Sequence, residues 1–318
     1  MGTDRAGPVG LYRISSPDGG VGPSRRPTTG AVMPPDRATS LLYELFSGLP
    51  RQGPGTAAST RRALGFVPDV GPRSRVLDVG CGTGAQTLVL ADSSPAHIVA
   101  VDIHPPFIDA LNRKAHELGI ADRLEARVAD MRRLDFADGS FDLIWCEGAI
   151  YNMGVEAGLR DWRRLLRRGG HVALTEVCWR KPEPPAACAA FWSREYPAIR
   201  DASALLEAIE ACGYETVGRF SLPASAWWDD YYRPLQDNVT RFRERHHDSP
   251  RLTTTHHDSP RRTGRTGASG PLPAGNRHLA CLLGILWLRV LRDPRPLNES
   301  QRARVESVHQ SGATVSPV

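Results

Sequence analysis

Val76-Leu77-Asp78-Val79-Gly80-Cys81-Gly82-Thr83-Gly84 is the stretch on which the fold turns. A short, mostly apolar run leads into glycine at every second position. Residues 85–92 then carry apolar side chains at helical spacing. A strand, a glycine turn and a helix in that order make a ligand-binding corner. Glycine lets the backbone take positive φ and approach a ligand closely. The first N–H groups of the helix face the turn and favour electron-rich atoms. Glycine turns are common, so the flanking sequence has to say which corner this is.

The alternation of strand and helix continues on both sides. Strands are expected over 75–79, 98–102, 123–128, 141–146, 171–177 and 215–222. Helices are expected over 38–46, 56–66, 85–92, 106–118, 155–168 and 202–212, with Gly169-Gly170 ending the fifth of these. That order predicts an α/β fold, a Rossmann-like, doubly wound and mostly parallel sheet covered on both faces. Ligands in such sheets bind at the carboxyl ends of the strands, where the strand order reverses. Chemistry is therefore expected in the loops after the first, second and fourth strands.

Composition frames this core with two extensions. Residues 1–37 are rich in Gly, Pro and Arg and read as a disordered extension. The folded domain is expected over 38–240. Residues 241–318 form a basic, low-complexity tail of 13 Arg against 6 acidic residues. There His246-His247-Asp248-Ser249-Pro250-Arg251 recurs as His256-His257-Asp258-Ser259-Pro260-Arg261, which reads as solvated chain rather than a metal site. An apolar segment over 279–291 is a strand or a helix; its pattern does not choose.

The protein carries only two lysines, Lys114 and Lys181, so the net charge of +5 reflects a general preference for Arg. Without interleaved aromatic residues it argues against a nucleic-acid partner. Six cysteines without a CxxC pair argue against structural zinc and fit a reducing cytoplasm. The start of the chain lacks the apolar core of a signal peptide, and 279–291 is too short to span a bilayer.

The spacing around the turn sharpens its reading. Asp102, 18 residues after Gly84, ends the second strand, where a carboxylate can accept both hydroxyls of a ribose. The same spacing admits a dinucleotide, because Gly80-x-Gly82-x-x-Ala85 passes the relaxed fingerprint. Three features favour a sulfonium cofactor: the third glycine at 84, Asp78 placed near a cationic amino-acid moiety, and Ala129-Asp130-Met131 after the third strand. Asp130 is placed to accept from an adenine amino group, and Met131 to pack on the ring.

On these residues the sequence resembles the class I S-adenosylmethionine-dependent methyltransferases. VLDVGCGTG matches that family's first motif, IVAVDI its ribose-binding strand, and Asp130-Met131 its adenine motif. Leu166-Arg167-Arg168-Gly169-Gly170-His171-Val172-Ala173-Leu174 resembles its stretch ending in a fifth strand. The likeness covers about residues 38–235. Arg51-Gln52-Gly53-Pro54-Gly55, Glu147-Gly148-Ala149-Ile150-Tyr151-Asn152 and Trp228 to Tyr232 are similar to a bacterial subgroup whose core is like that of the ubiquinone and menaquinone methyltransferases.

The resemblance implies S-adenosylmethionine as cofactor, held by Asp78, Gly80, Gly82, Gly84, Asp102, Ile103, Asp130 and Met131, and methyl transfer to a small-molecule acceptor. Glu147 and Tyr151 follow the fourth strand and are the candidate catalytic residues; Glu147 paired to a nearby Arg is the structural alternative. His171 reads as a strand residue. Trp192, Tyr196, Trp227, Trp228, Tyr231 and Tyr232 are placed to cap an apolar acceptor or to form a lid core. No metal is expected, and the sequence does not set an oligomeric state. An NAD-type oxidoreductase and a non-catalytic cofactor-binding protein remain the alternatives. The family sheet closes with an antiparallel strand for which only 279–291 is available, across a loop of more than 50 residues.

Overall fold

The computed structural model describes residues 37–179, 183–246 and 286–292. Seven strands form one sheet: β1 (Arg75–Val79), β2 (His97–Asp102), β3 (Leu124–Val128), β4 (Phe141–Cys146), β5 (Leu166–Val177), β6 (Glu215–Gly218) and β7 (Leu286–Arg292). Their spatial order is β3-β2-β1-β4-β5-β7-β6. The five strands from β3 to β5 run parallel, and β7 pairs antiparallel with both β5 and β6. Strand order reverses between β1 and β4, and that is where the glycine turn leaves the sheet.

The β-rich apolar runs explain the centre. β1 is buried from Val76 to Val79 and β4 is almost wholly buried, as strands covered on both faces must be. Alternate side chains feed two cores. Val76, Ile98, Leu143 and Trp145 pack on one face; Leu77, Val99, Ile144 and Leu174 pack on the other. The helices α3 (Ala85–Ser93) and α4 (Pro105–Glu117) pack on the first face, and α5 (Val155–Arg163) and α7 (Ala202–Ala211) on the second.

Three departures from the sequence expectation have physical causes. The helix expected over 155–168 stops at Arg163. Leu165 and Leu166 are instead buried at the start of β5, where the Phe141 N–H donates to the Leu165 carbonyl. Gly169-Gly170 therefore lies inside an irregular strand rather than ending a helix, and the register with β4 slips between Phe141 and Leu143. The strand expected over 215–222 ends at Gly218. And the apolar segment at 279–291 resolves as a strand over 286–292, with Glu176 opposite Trp287 and Thr216 opposite Leu291. A central strand thus comes from within the stretch set apart as tail; residues 279–285 lie outside the described residues.

Two further helices precede β1: α1 (Arg37–Phe46) and α2 (Ala57–Leu64), the latter capped by the Thr56 hydroxyl accepting from the Ser59 N–H at 2.9 Å. After β5 come α6 (Ala186–Glu195), α8 (Ala224–Trp227), one π turn at Trp228–Tyr232, and α9 (Arg233–Arg245). α9 packs on α1, its Asn238 amide donating to the Leu45 and Ser47 carbonyls. α1 is thereby held over the carboxyl ends of β1, β2 and β4. The duplicated His motif lies outside the described residues except His246, which meets the Glu44 carboxylate at 3.0 Å. Among the described residues no helix is long and apolar enough to cross a membrane.

Candidate functional site

A cavity of about 250 Å³ opens where the strand order reverses. Its floor is Gly80, Cys81 and Gly82 of the turn, Asp102 and Ile103 after β2, and Ala129, Asp130 and Met131 after β3. Glu147, Gly148 and Ala149 after β4, with Tyr151 and Asn152, form one wall. Leu42, Tyr43 and Phe46 of α1 and Tyr231 of the π turn form the roof. Eight of the ten residues singled out from sequence therefore line one space; Asp78 and Gly84 do not.

Asp102 sits where β2 ends, and its two carboxylate oxygens are divided between backbone donors. Oδ2 accepts from the Gly82 N–H and Oδ1 from the His104 N–H, each at 2.9 Å. The first bond joins the carboxylate to the glycine turn. Burial raises its pKa, while these N–H groups oppose the rise. The carboxylate also lines the cavity, and a carboxylate offers about four acceptor sites, more than these two bonds use. Beside it, Ile103 is an exposed large aliphatic residue, and Met131 is only partly buried. Together with Ala129 and Phe107 they make an apolar slot. Asp130 caps its own loop by accepting from the Arg132 N–H at 2.9 Å. The Met131 carbonyl accepts from the Trp162 indole at 3.0 Å, so α5 fixes this loop from below.

Asp78 departs from its expected role. It is fully buried and accepts from the Thr87 hydroxyl at 2.5 Å and the Gln86 amide at 3.3 Å. Its carboxyl faces the first turns of α3 and ties β1 to that helix instead of facing the cavity. Burial raises its pKa from 3.8 to about 7. A proton held in the fold but not in the unfolded chain makes stability fall as pH rises from about 4 to about 7. Glu176, raised from 4.5 to about 8, adds a fall of the same sign. Asp78→Asn keeps the shape and removes the first contribution. Urea denaturation at pH 5 and pH 8 is expected to show a smaller difference in the variant than in the parent protein; an equal difference refutes the assignment.

Gly84 departs similarly. It caps α3 at φ +87°, and a Cβ there would lie 2.3 Å from Leu111 Cδ1 of α4. This glycine lets two helices pack; it does not face the ligand space. Gly82 differs: at φ +56° its added Cβ would lie 2.5 Å from the Gln52 amide oxygen, beside the cavity. Gly84→Ala combines a left-handed backbone with overpacking and is expected to cost about 2–4 kcal/mol in chemical denaturation. Stability within about 0.5 kcal/mol of the parent, the scale of an ordinary surface change, would show that the close approach is not needed.

Glu147 lies on the wall and is fully engaged. It pairs with the Arg51 guanidinium, and its Oε1 accepts from the Thr60 hydroxyl at 2.7 Å and the Trp145 indole at 3.0 Å. Side-chain exposure is 10% for Arg51 and 5% for Glu147. The structural alternative weighed for Glu147 is thus the geometry found. A carboxylate committed to three donors is a fixed charge rather than a free base. Tyr151, in a short 3-10 turn at Ile150–Asn152, faces the cavity, and burial raises its phenol pKa.

Sequence reasoning did not single out Gln52. Its amide oxygen accepts from the Thr83 N–H at 2.9 Å and the Thr83 hydroxyl at 3.1 Å, while its nitrogen donates to the Leu49 carbonyl at 3.3 Å. The 51–55 loop is thereby bound to the glycine turn. Tyr43 stacks on His104 with ring centroids 3.9 Å apart, a second tie between roof and floor. The RQGPG pattern was the available signal, but a contact spanning 31 residues has no local signature.

The sheet also separates the two cofactor readings. A dinucleotide fold continues from its fifth to its sixth strand in parallel order. Here an antiparallel strand is inserted between β5 and β6. Residues 76–170 match the family model described as a methyltransferase domain. Over that stretch the chain is similar to methyltransferase domains. Phosphoethanolamine N-methyltransferase 3 of Arabidopsis thaliana is 29% identical over 181 residues, 56% of this chain and 36% of that protein. The 27-O-demethylrifamycin SV methyltransferase of Amycolatopsis mediterranei is 29% identical over 120 residues, 37% of this chain and 44% of that one. The chain thus spans less than half the length of either. A Thiobacillus denitrificans methyltransferase solved with S-adenosylhomocysteine shares the fold at TM-score 0.62 and 19% identity, over 81% of this chain and 99% of that one. The cavity of this chain lies at the carboxyl ends of the strands of that shared fold.

Proposed function

We propose that this chain transfers a methyl group from S-adenosylmethionine to a small-molecule acceptor. The observation that carries the reading is the convergence of the glycine turn, the Asp102 carboxylate and the apolar slot of Ile103 and Met131 on one cavity at the strand reversal. Asp102 would accept from the ribose hydroxyls. Ile103 and Met131 would enclose the adenine ring, with Asp130 accepting from its amino group. Gly80 and Gly82 would let the amino-acid portion lie close to the backbone. When bound, the cofactor supplies a methyl group already activated by the sulfonium charge.

What remains for the protein is mostly placement. A nucleophile held in line with the methyl carbon, roughly 3 Å away, has the entropy of encounter already removed. Tyr43, Phe46, Tyr151 and Tyr231 offer an aromatic surface for an acceptor and exclude water. The Arg51–Glu147 pair keeps the adjoining wall rigid and electrically balanced. A cytoplasmic location fits five buried free thiols among the described residues. Titration calorimetry with S-adenosylhomocysteine and with NAD tests the reading. Binding of the first and not the second is expected; NAD binding alone would favour an oxidoreductase.

A further inference from the structure

The charges around the cavity restrict what kind of acceptor it can hold. Two arginines and three carboxylates line it: Arg51, Arg132, Asp102, Asp130 and Glu147. Arg51 pairs with Glu147, and Arg132 lies 4.0 Å from the Asp130 carboxylate. Among the described residues Asp102 has backbone N–H partners and no cation, so one negative charge is left over. S-adenosylmethionine carries a sulfonium, an ammonium and a carboxylate, a net of one positive charge. Bound over Asp102, it brings the whole space to neutrality. The phenols leave that balance alone, because burial raises the Tyr43 pKa to about 12 and those of Tyr151 and Tyr231 as well. A charged acceptor would enter without a counter-charge, and an ion buried in that way is strongly disfavoured.

The surface opposite the cofactor elements adds shape to charge. It is made by Tyr43, Phe46, Pro54, Tyr151 and Tyr231, with Arg51. The Phe46 and Tyr231 rings lie within 8° of parallel, their centroids 6.5 Å apart. Flat aromatic faces favour a flat partner. Arg51 supplies directed polarity. Its guanidinium is backed by Gly55, where a Cβ would fall 2.7 Å from Nη2 and 2.9 Å from Cζ. Nη2 donates to the Glu147 carboxylate, and a guanidinium has five N–H donors, more than that bond uses. Such a group donates only, so what it takes from a ligand is an acceptor atom.

Resting on the methyltransferase reading, we propose that the acceptor is an uncharged planar ring compound bearing a hydroxyl or carbonyl oxygen, and that Arg51 selects it by donating to that oxygen. Glu147 already balances the guanidinium charge. A neutral oxygen therefore satisfies the spare donors, and a carboxylate or phosphate gains little there. The rings of Phe46 and Tyr231 hold the plane of the molecule, and Arg51 sets its orientation.

Probes of one shape and different charge test this on the full chain. The protein is first loaded with sinefungin, a cofactor analogue whose amine stands in for the positive sulfonium. Titration calorimetry at neutral pH then compares 2-naphthol, 2-naphthoate and 2-naphthylmethylammonium. The neutral 2-naphthol is expected to bind roughly tenfold or more tightly than either ion. With S-adenosylhomocysteine in place of sinefungin the positive charge is gone, and the ammonium probe should gain several-fold on 2-naphthol. Arg51→Lys keeps a cation beside Glu147 but loses the planar fork of donors. It is expected to lower the preference for 2-naphthol over naphthalene by roughly threefold or more. An ion that binds as tightly as 2-naphthol, or no binding by any probe, overturns the proposed acceptor class. An unchanged preference in Arg51→Lys overturns the role of Arg51. If that variant does not fold, the parent protein decides the same point, since naphthalene binding as tightly as 2-naphthol leaves Arg51 nothing to select. Failure of both sinefungin and S-adenosylhomocysteine to bind would instead sink the methyltransferase reading, and the acceptor proposal with it.

Discussion

Asp102→Ala is expected to weaken S-adenosylhomocysteine binding by roughly 30- to 1,000-fold, or about 2–4 kcal/mol. Two hydrogen bonds from the ribose to a charged oxygen pair would be lost. A second loss compounds the first: the Gly82 and His104 N–H groups, both bonded to this carboxylate at 2.9 Å, are left without it. The glycine turn would then be free to shift away from the cofactor. Asp102→Asn keeps the shape and one acceptor and is expected to lose only about tenfold. Titration calorimetry of both variants checks this, with circular dichroism as the control for folding. Unchanged affinity in the alanine variant would remove Asp102 from the proposed site.

Arg51→Met is expected to destabilise the fold by about 3–5 kcal/mol, because it strands the buried Glu147 carboxylate without its cation. The Thr60 and Trp145 donors remain, but they do not balance a full charge. Adding Glu147→Gln removes that charge, so the double variant should be more stable than Arg51→Met alone. A double-mutant cycle by urea denaturation measures the coupling. Additive losses would show that the pair is incidental. The single variant should also loosen the 51–55 loop, which Gln52 alone would then bind to the glycine turn.

What the sequence displayed and what it hid divide along range of contact. β1, β2 and β4 are runs of buried apolar residues, and such runs show in any reading by pattern. The same holds for the glycine turn and for Asp102, whose positions follow from spacing along one strand–helix–strand unit. Asp78 looks in sequence like a ligand-facing acid. One residue of pleat decides whether it faces the cavity or α3, and only packing against Thr87 and Gln86 chooses. The Arg51–Glu147 and Gln52–Thr83 contacts join residues 96 and 31 apart, for which no local pattern exists. The end of α5 was misplaced because Leu165 and Leu166 suit a helix and a buried strand equally well.

The inserted antiparallel strand has a consequence for how this protein is made. β6 ends at Gly218, while its partner ends at Arg292. On a ribosome adding 5–20 residues per second, roughly 4–15 s separate the birth of the two. Throughout that interval the nascent sheet has β5 and β6 in hand with their inner edges unpaired. Open edges of this kind are templates for wrong partners. The protein is therefore expected to be most exposed to aggregation during synthesis rather than after it, in a time window set by the stretch that separates β6 from β7.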